Sequence, residues 1–550
     1  MPIQFTSPVA WTAVGQQPDF WSSICQTLLP AYVNSCRWFA GKARQQTSFT
    51  VRTVLPLPMG NAPENMAYLL ILAVDYAHGD PEHYLLPVSF LGNTHRQEQN
   101  YGMPAIPQQG RIGDMVLAGQ AGQLIDAIYD NDFRQTLFAT IYQNQVVQEP
   151  LGQLRGHRGS GLDEGDLDLP SRVLPVDSSN SAMTFGDKYF LKLYRKLFRQ
   201  TNPEVDMVAF LSEVGHFPHI PAFGGSLVWE RDGIADVTLG MIQRMVPANQ
   251  DSWGQTGDYL NDFLYAVPQR LFTIREDVFE KVELLGRRTG EMHNALYQPD
   301  TDAAFAPEAF TDDYRTFLID RFEALLEQRY ALLIATYESL DPLAQRLAWV
   351  FMEAREMIEA FISDFRSRPL GSLRTRIHGD YHLGQVLAAN DDFIIIDFEG
   401  EPESSISDRK VKHSPLKDVA GMIRSYHYAV SAKLFNAAET ETLDPAYLQR
   451  VSDRWFHLIR DTFLSAYFDT FSAPHPLFRN NNEINFLLLI YLLEKAVYEL
   501  GYELSYRPTW VKIPLKGIID VVTEIEKIRI SDGNTTTDIP MLQTGLLKLP

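Results

Sequence analysis

Cysteine is nearly missing from this chain: Cys25 and Cys36 are the only two among 550 residues. Two are too few for a disulfide framework, and both read as reduced thiols of a cytoplasmic protein. Basic charge is also scarce. Against 69 Asp and Glu stand 48 Lys and Arg, a net charge of −21, which excludes a nucleic-acid surface built from basic clusters. A nucleotide, which needs only local donors, stays possible. Long apolar runs are lacking too. The longest, Phe486–Leu493, falls far short of the roughly 20 residues of a spanning helix, so it reads as a buried helix and no membrane partner is expected. The opening M-P-I-Q-F-T-S-P has neither the basic nor the apolar region of a signal peptide. No internal repeat or sustained heptad pattern is found. What the chain does have is apolar content, 45%, in a length beyond what one core organises, so two or three lobes are expected.

The most informative stretch runs from His378 to Pro402, H-G-D-Y-H-L-G-Q-V-L-A-A-N-D-D-F-I-I-I-D-F-E-G-E-P. Its spacing suits metal-assisted phosphoryl transfer, in which the protein positions a hydroxyl in line with a γ-phosphate and neutralises charge through Mg²⁺. Asp380 is the candidate base. Gln385, five residues on, offers a neutral oxygen to a metal, and Asp397 follows the apolar run Phe393–Ile396, which presents it at a strand end. A hard cation takes such oxygens.

Upstream, strand-like V-R-T-V-L-P-L and A-Y-L-L-I-L-A-V flank the turn-rich M-G-N-A-P-E-N, a small α and β unit over residues 1–90. A second, β-rich unit over 91–247 includes the Gly- and Asp-rich stretch Gly156–Asp166, read as a mobile loop. It also includes two strands joined at Gly186-Asp187. From 248 to 550 the pattern turns helical: Val278, Val282, Leu285 and Met292 share one face of a helix, and Phe317, Phe322, Leu325, Leu326 and Leu333 continue the theme.

In K-Y-F-L-K-L-Y, Lys192 alternates with Leu191 and Leu193, so its amine leaves the opposite face of a strand and suits phosphate oxygens. Pro203 opens a helix next, with Glu204 and Asp206 both available to pair with Lys192. Ahead of the strand, Ser179, Asn180 and Ser181 occupy the place of a kinase glycine-rich loop. Gln243 to Val246 run from strand to proline as an adenine-binding hinge would, with Gln243, Met245 and Val246 the contacts expected. Near the carboxyl end, Lys495, Tyr498, Glu499 and Tyr502 share a polar and aromatic helical face, a mixture that suits a sugar.

H-G-D-x-H-x-G-Q followed by D-F-E-G-E-P resembles the aminoglycoside-phosphotransferase-like branch of the kinase fold, and within it the bacterial maltokinases. R-W-F-A-G-K (Arg37 to Lys42), the S-N-x-S loop, L-G-R-R-T-G-E-M-H, Ser414–Ser425 and the helix ending in R-P-x-W extend the resemblance over nearly the whole chain. It implies an α+β, bilobal, protein-kinase-like fold with an amino-terminal cap subdomain and a large helical carboxyl-terminal lobe. The implied activity is transfer from ATP, with Mg²⁺, to the anomeric hydroxyl of maltose, giving maltose 1-phosphate and ADP, and the implied association is with trehalose synthase. His378, His382 and Glu399, which lie in the two motifs, are expected with Lys495, Tyr498, Glu499 and Tyr502 on the substrate side. Asp418 is implied as a brace of the catalytic loop, and Arg424 is expected near the sugar or in a salt bridge. A glucosamine kinase, or another small-molecule kinase, is the enzyme alternative. A pseudokinase binding module is opposed by the intact Asp380, Gln385, Asp397 and Lys192.

Overall fold

In the computed structural model the described residues are 4–60, 65–92, 106–149, 152–175, 179–248, 250–401, 404–436 and 438–532. Ser178, most of the 59–65 turn and Pro402 lie outside them. Two compact units result: Met1–Val214 with Pro221–Met245, and Gly215–Ile220 with Val246–Pro550.

The first unit is built on two seven-stranded sheets. One contains β1 (Gln4–Ser7), β2 (Gln46–Pro58), β3 (Met66–Tyr76), β4 (Glu82–Gly92), β5 (Arg111–Leu117) and β6 (Gln120–Asp126) in the order β1-β5-β6-β4-β3-β2. This sheet does not stop at residue 90, where the sequence reading ends the first unit, because β5 and β6 complete it. Its central strands are buried on both faces. In β3, Tyr68, Leu70, Leu72 and Val74 pack with the helices Pro18–Thr27 and Leu29–Ser35, while Leu69 and Ile71 point into the second core. A strand with period-two geometry and apolar residues at every position must be covered twice, which is why A-Y-L-L-I-L-A-V carries so little polarity.

The second sheet joins β7 (Val146–Glu149), β8 (Gly152–Arg158), β9 (Ser171–Leu174), β10 (Ser181–Phe185), β11 (Tyr189–Leu193), β13 (Phe223–Arg231) and β14 (Ile234–Arg244). β10 and β11 form the expected hairpin at Gly186, whose φ of +54° a side chain rarely adopts. The stretch Gly156–Asp166 departs from the mobile loop expected of it. Its start belongs to β8, and its end is pinned by Lys188 to Asp166 at 2.8 Å and Arg244 to Asp163 at 2.5 Å. After β11 the short β12 (Lys196–Leu197) crosses to pair with β4 of the first sheet.

The second unit is mainly helical. Helix Glu276–Leu296 buries Val278, Val282, Leu285 and Met292, as the periodicity predicts. It lies tight against Pro445–Phe468 at Gly286, where an added Cβ would stand 2.5 Å from the Phe463 carbonyl oxygen, so the first glycine of L-G-R-R-T-G is a packing requirement. The run Phe486–Leu493 is wholly buried inside helix Asn481–Tyr506, as expected. A small sheet of β15 (Gln250–Asp251), β18 (Val386–Ala389) and β19 (Asp392–Ile395) carries the central motif. The β18–β19 turn uses Asn390 and Asp391 at φ of +51° and +62°, the residue types that best tolerate the left-handed region. Among the described residues, no helix is long and apolar enough to cross a membrane.

Candidate active site

In the second unit Asp380 stands in a loop ahead of β18 that is clamped from behind. Asp418, 1% exposed, accepts from the backbone amides of His378 at 2.7 Å and Gly379 at 2.9 Å, and lies 3.1 Å from His293 Nε2. His293 is itself buried and anchored by Tyr467 at 2.9 Å. Burial would raise the Asp418 pKa, yet the His293 contact and the amide donors hold it below the usual carboxylate range. This is the brace that the resemblance implied.

Asp380 is half-buried. Desolvation alone would push its carboxyl up; the Lys495 ammonium, 3.2 Å from Oδ1, and His382, 4.0 Å from Oδ2, bring it below the ordinary value. Burial would lower the Lys495 pKa, but Asp380 and Glu401 raise it, so the amine stays charged. Gln385 Nε2 donates to Asp397 Oδ2 at 3.1 Å, and the Gln385 carbonyl accepts from the Ile396 amide at 3.0 Å. Asp397 follows β19 with φ of +64°. Together they present an amide oxygen and a carboxylate, donor types that fit Mg²⁺.

Beside Asp380 opens a cavity of about 410 Å³, walled by Glu401, Lys417, Glu494, Lys495 and Tyr498, with Arg321, Gln328 and Arg329 contributed by helix Asp312–Thr336. Lys417 pairs with Glu494 at 3.0 Å, and burial raises the Glu401 carboxyl. The Arg329 Nε is buried without a hydrogen-bond partner among the described residues.

Of the expected substrate residues, Lys495 and Tyr498 line this cavity. His378 does not: it is 1% exposed, its Nε2 is 2.8 Å from the Ile396 carbonyl and its ring packs on Phe398, so it is an internal strut. His382 is half-exposed beside Asp380, and its Nδ1 accepts from the Gly384 amide at 3.1 Å. Glu399 is half-buried after Asp397 and is not among the cavity walls. Arg424 and Glu499 are spent on each other, at 2.6 Å, and Arg424 lines a different cavity of about 390 Å³. The salt-bridge reading of Arg424 therefore holds. Tyr502 is 45% exposed against Tyr506 and Arg507. Helical geometry explains the split: Glu499, one residue beyond Tyr498, is turned about 100° away around the axis, while Tyr502, four residues on, keeps nearly the same face but stands about 6 Å further along the helix.

The first unit holds the expected nucleotide residues up to Met245. Lys192 Nζ meets Glu204 Oε2 at 2.9 Å, with Tyr194 donating to the same oxygen at 2.8 Å, while Asp206 accepts from Thr201 at 3.2 Å. Glu204 is positioned by helix Pro203–Glu213, which Asn202 caps through the Glu204 amide at 2.8 Å. Ser179 is exposed, but Ser181 is buried and its hydroxyl accepts from Arg195 Nε at 2.8 Å, so that hydroxyl is turned to the interior. Gln243 of β14 is paired with Phe190 of β11, the Met245 amide donates to the Lys188 carbonyl at 2.7 Å, and Val246 begins the second unit.

The profile of the maltokinase N-terminal cap domain matches residues 32–130, a span that takes in β2 to β6 of the first sheet and the end of helix Leu29–Ser35. A glucosamine kinase of Streptacidiphilus jiangxiensis is 25% identical over 358 residues, 64% of this chain and 74% of that protein. One of Mycolicibacterium smegmatis is 28% identical over 353 residues, 62% and 77% of the two chains. The chain is thus similar to sugar kinases, with a segment of the maltokinase cap type near its amino-terminal end. A glucosamine kinase solved in complex with glucosamine, ADP and inorganic phosphate superposes with a TM-score of 0.62 at 18% identity, covering 91% of this chain and 99% of that one. This likeness fixes the fold of the chain as α+β and protein-kinase-like, with an amino-terminal cap and a helical carboxyl-terminal lobe, as the sequence implied.

Glu401, Glu494 and Lys417 are cavity residues that the sequence reading passes over. All three lie inside or beside motifs already singled out, Glu401 in D-F-E-G-E-P and Glu494 next to Lys495, so adjacency was the available signal. Arg329 and Gln328 gave none. They sit in a helix with a generic amphipathic pattern.

Proposed function

We propose that this chain transfers the γ-phosphate of ATP to the anomeric hydroxyl of maltose, giving maltose 1-phosphate and ADP for α-glucan synthesis. The observation that carries the reading is the ionised Asp380, poised by Lys495 at the mouth of a charged and aromatic cavity. A carboxylate there accepts the proton of a bound hydroxyl as its oxygen attacks phosphorus. Lys495 holds that carboxylate in place and anionic. Lys192, fixed by Glu204, receives phosphate oxygens, and the segment Gln243–Val246 offers backbone groups to adenine. Gln385 and Asp397 would hold Mg²⁺, which supplies charge neutralisation for the phosphoryl group. The match of the maltokinase cap favours maltose, as does the extension of the cavity to Arg329, whose Nε lacks a partner among the described residues. The names of the two curated relatives favour a second reading, glucosamine as acceptor.

Initial rates with ATP, Mg²⁺ and a panel of maltose, glucosamine, glucose and trehalose decide between them. Maltose is expected to give the highest kcat/KM; a preference for glucosamine would replace the first reading by the second, and no transfer to any sugar would overturn both. A paired substitution tests the acceptor wall. Tyr498→Ala is expected to raise the KM for maltose about tenfold, the worth of one hydrogen bond, with the KM for ATP unchanged. Tyr502→Ala, out in solvent, should leave both values as in the parent. Equal effects of the two substitutions would contradict the assignment of the cavity.

A further inference from the structure

We infer that the cap sheet sets the shape of the nucleotide loop through the buried guanidinium of Arg195, a positioning residue three places beyond Lys192. The inference rests on reading the segment around the exposed Ser179 as the phosphate loop, with the buried Ser181 hydroxyl as its internal anchor. Arg195 is fully buried, and its donors divide between two destinations. On the cap side, Nη2 donates to Asp126 Oδ2 at 2.6 Å, at the end of β6, and Nη1 to the Leu85 carbonyl of β4 at 3.3 Å. On the loop side, Nε donates to Ser181 Oγ at 2.8 Å, and the Arg195 backbone amide to Asn180 Oδ1 at 3.3 Å. The Arg195 carbonyl in turn accepts from the Leu85 amide at 2.7 Å.

The cap supplies the rest of the socket. Tyr32 donates to the same Asp126 oxygen at 3.0 Å, and Trp38, from the R-W-F-A-G-K segment, lies with its ring centroid 4.9 Å from the guanidinium carbon. A guanidinium is a planar, rigid fork, so its cap partners fix where its remaining nitrogen points. A charged group this deep is costly without its carboxylate, which makes Asp126 the anchor of the arrangement. The loop has no glycine-rich pattern to let backbone amides close around phosphate. Its Asn180 and Ser181 side chains are instead held in one arrangement from behind, before any nucleotide arrives. Such preorganisation appears as affinity.

Asp126→Asn keeps the shape of the cap-side partner and removes its charge; Arg195→Lys keeps the charge and removes the fork. Each is expected to raise the KM for ATP about fivefold or more, the scale of ordinary site-to-site coupling. ADP binding by calorimetry without acceptor should weaken in parallel, and the KM for the sugar should stay at the parent value. Trp38→Phe, which keeps an aromatic platform, should retain the parent KM for ATP. A fall in thermal midpoint with unchanged nucleotide constants would show a purely structural role and overturn the inference. Ser179→Ala separates the two layers: an unchanged KM for ATP there refutes the loop reading itself, whereas a raised value beside a normal Asp126→Asn refutes only the coupling. Should both buried variants fail to fold, Tyr32→Phe removes a single donor to Asp126. It should move ADP affinity in the same direction, and parent-like affinity would overturn the proposal.

Discussion

Asp380→Asn is expected to cut turnover by about 10²–10⁴-fold, the usual contribution of a general base, with little change in the thermal midpoint. The substitution is nearly isosteric and half-exposed, and the loop around it is held by Asp418, His293 and Tyr467, none of which it touches. Lys495 would lose one carboxylate but keep Glu401 at 3.8 Å, so the cavity should stay formed. The pH dependence has a definite sign. The Asp380 carboxyl is depressed below its ordinary value, so the base is ionised throughout the neutral range and is lost only as pH falls below the common aspartate pKa of about 3.9. An acid limb of the kcat profile nearer neutrality would therefore belong to another group. Steady-state rates with a thermal melt check the main effect. Turnover within a factor of two of the parent would remove Asp380 from the chemistry.

The second large effect is expected at the metal pair. Asp397→Asn should abolish Mg²⁺-dependent turnover, because it removes the only charge of the two proposed donors while keeping the hydrogen-bonding shape. Asparagine is the informative replacement here, since Asp397 has φ of +64° and alanine would add backbone strain in the left-handed region. Gln385→Ala should leave a slower enzyme that needs several-fold more Mg²⁺ for half-activity. Titrating Mg²⁺ against rate in both variants gives the check, and an unaltered metal requirement in both would contradict the assignment.

How much of this was legible in the sequence differs between the two kinds of signal. The roles proposed for Lys192, Asp380, Gln385 and Asp397 could be drawn from the sequence because each depends on local order: a period-two strand, or a fixed count of residues between an acid, an amide and a second acid. The Lys192 partner was not, since Glu204 and Asp206 lie in one helical turn and only tertiary packing brings Glu204 to 2.9 Å. Ser181 and His378 were misread for a related reason. A motif does not say which members face outward, and both side chains are consumed internally, by Arg195 and by the Ile396 carbonyl. The cavity beside Asp380 was the least legible. It combines residues more than a hundred positions apart, such as Arg329 and Lys495, and Arg424 and Glu499 form a pair that looks like sugar-binding chemistry until their separation of 2.6 Å is seen. The first sheet ran past residue 90 because β5 and β6 return to it after an intervening stretch, a long-range pairing that no local pattern announces.

The central claim is that this chain phosphorylates the anomeric oxygen of a sugar. The most direct test is phosphorus NMR of the product formed from ATP, Mg²⁺ and maltose, with ADP counted in the same tube. The expected result is a sugar phosphate whose phosphorus couples to the anomeric proton, with one ADP released per ester, and no such signal from Asp380→Asn. An ester at any other hydroxyl, or ADP released without an ester, would contradict it.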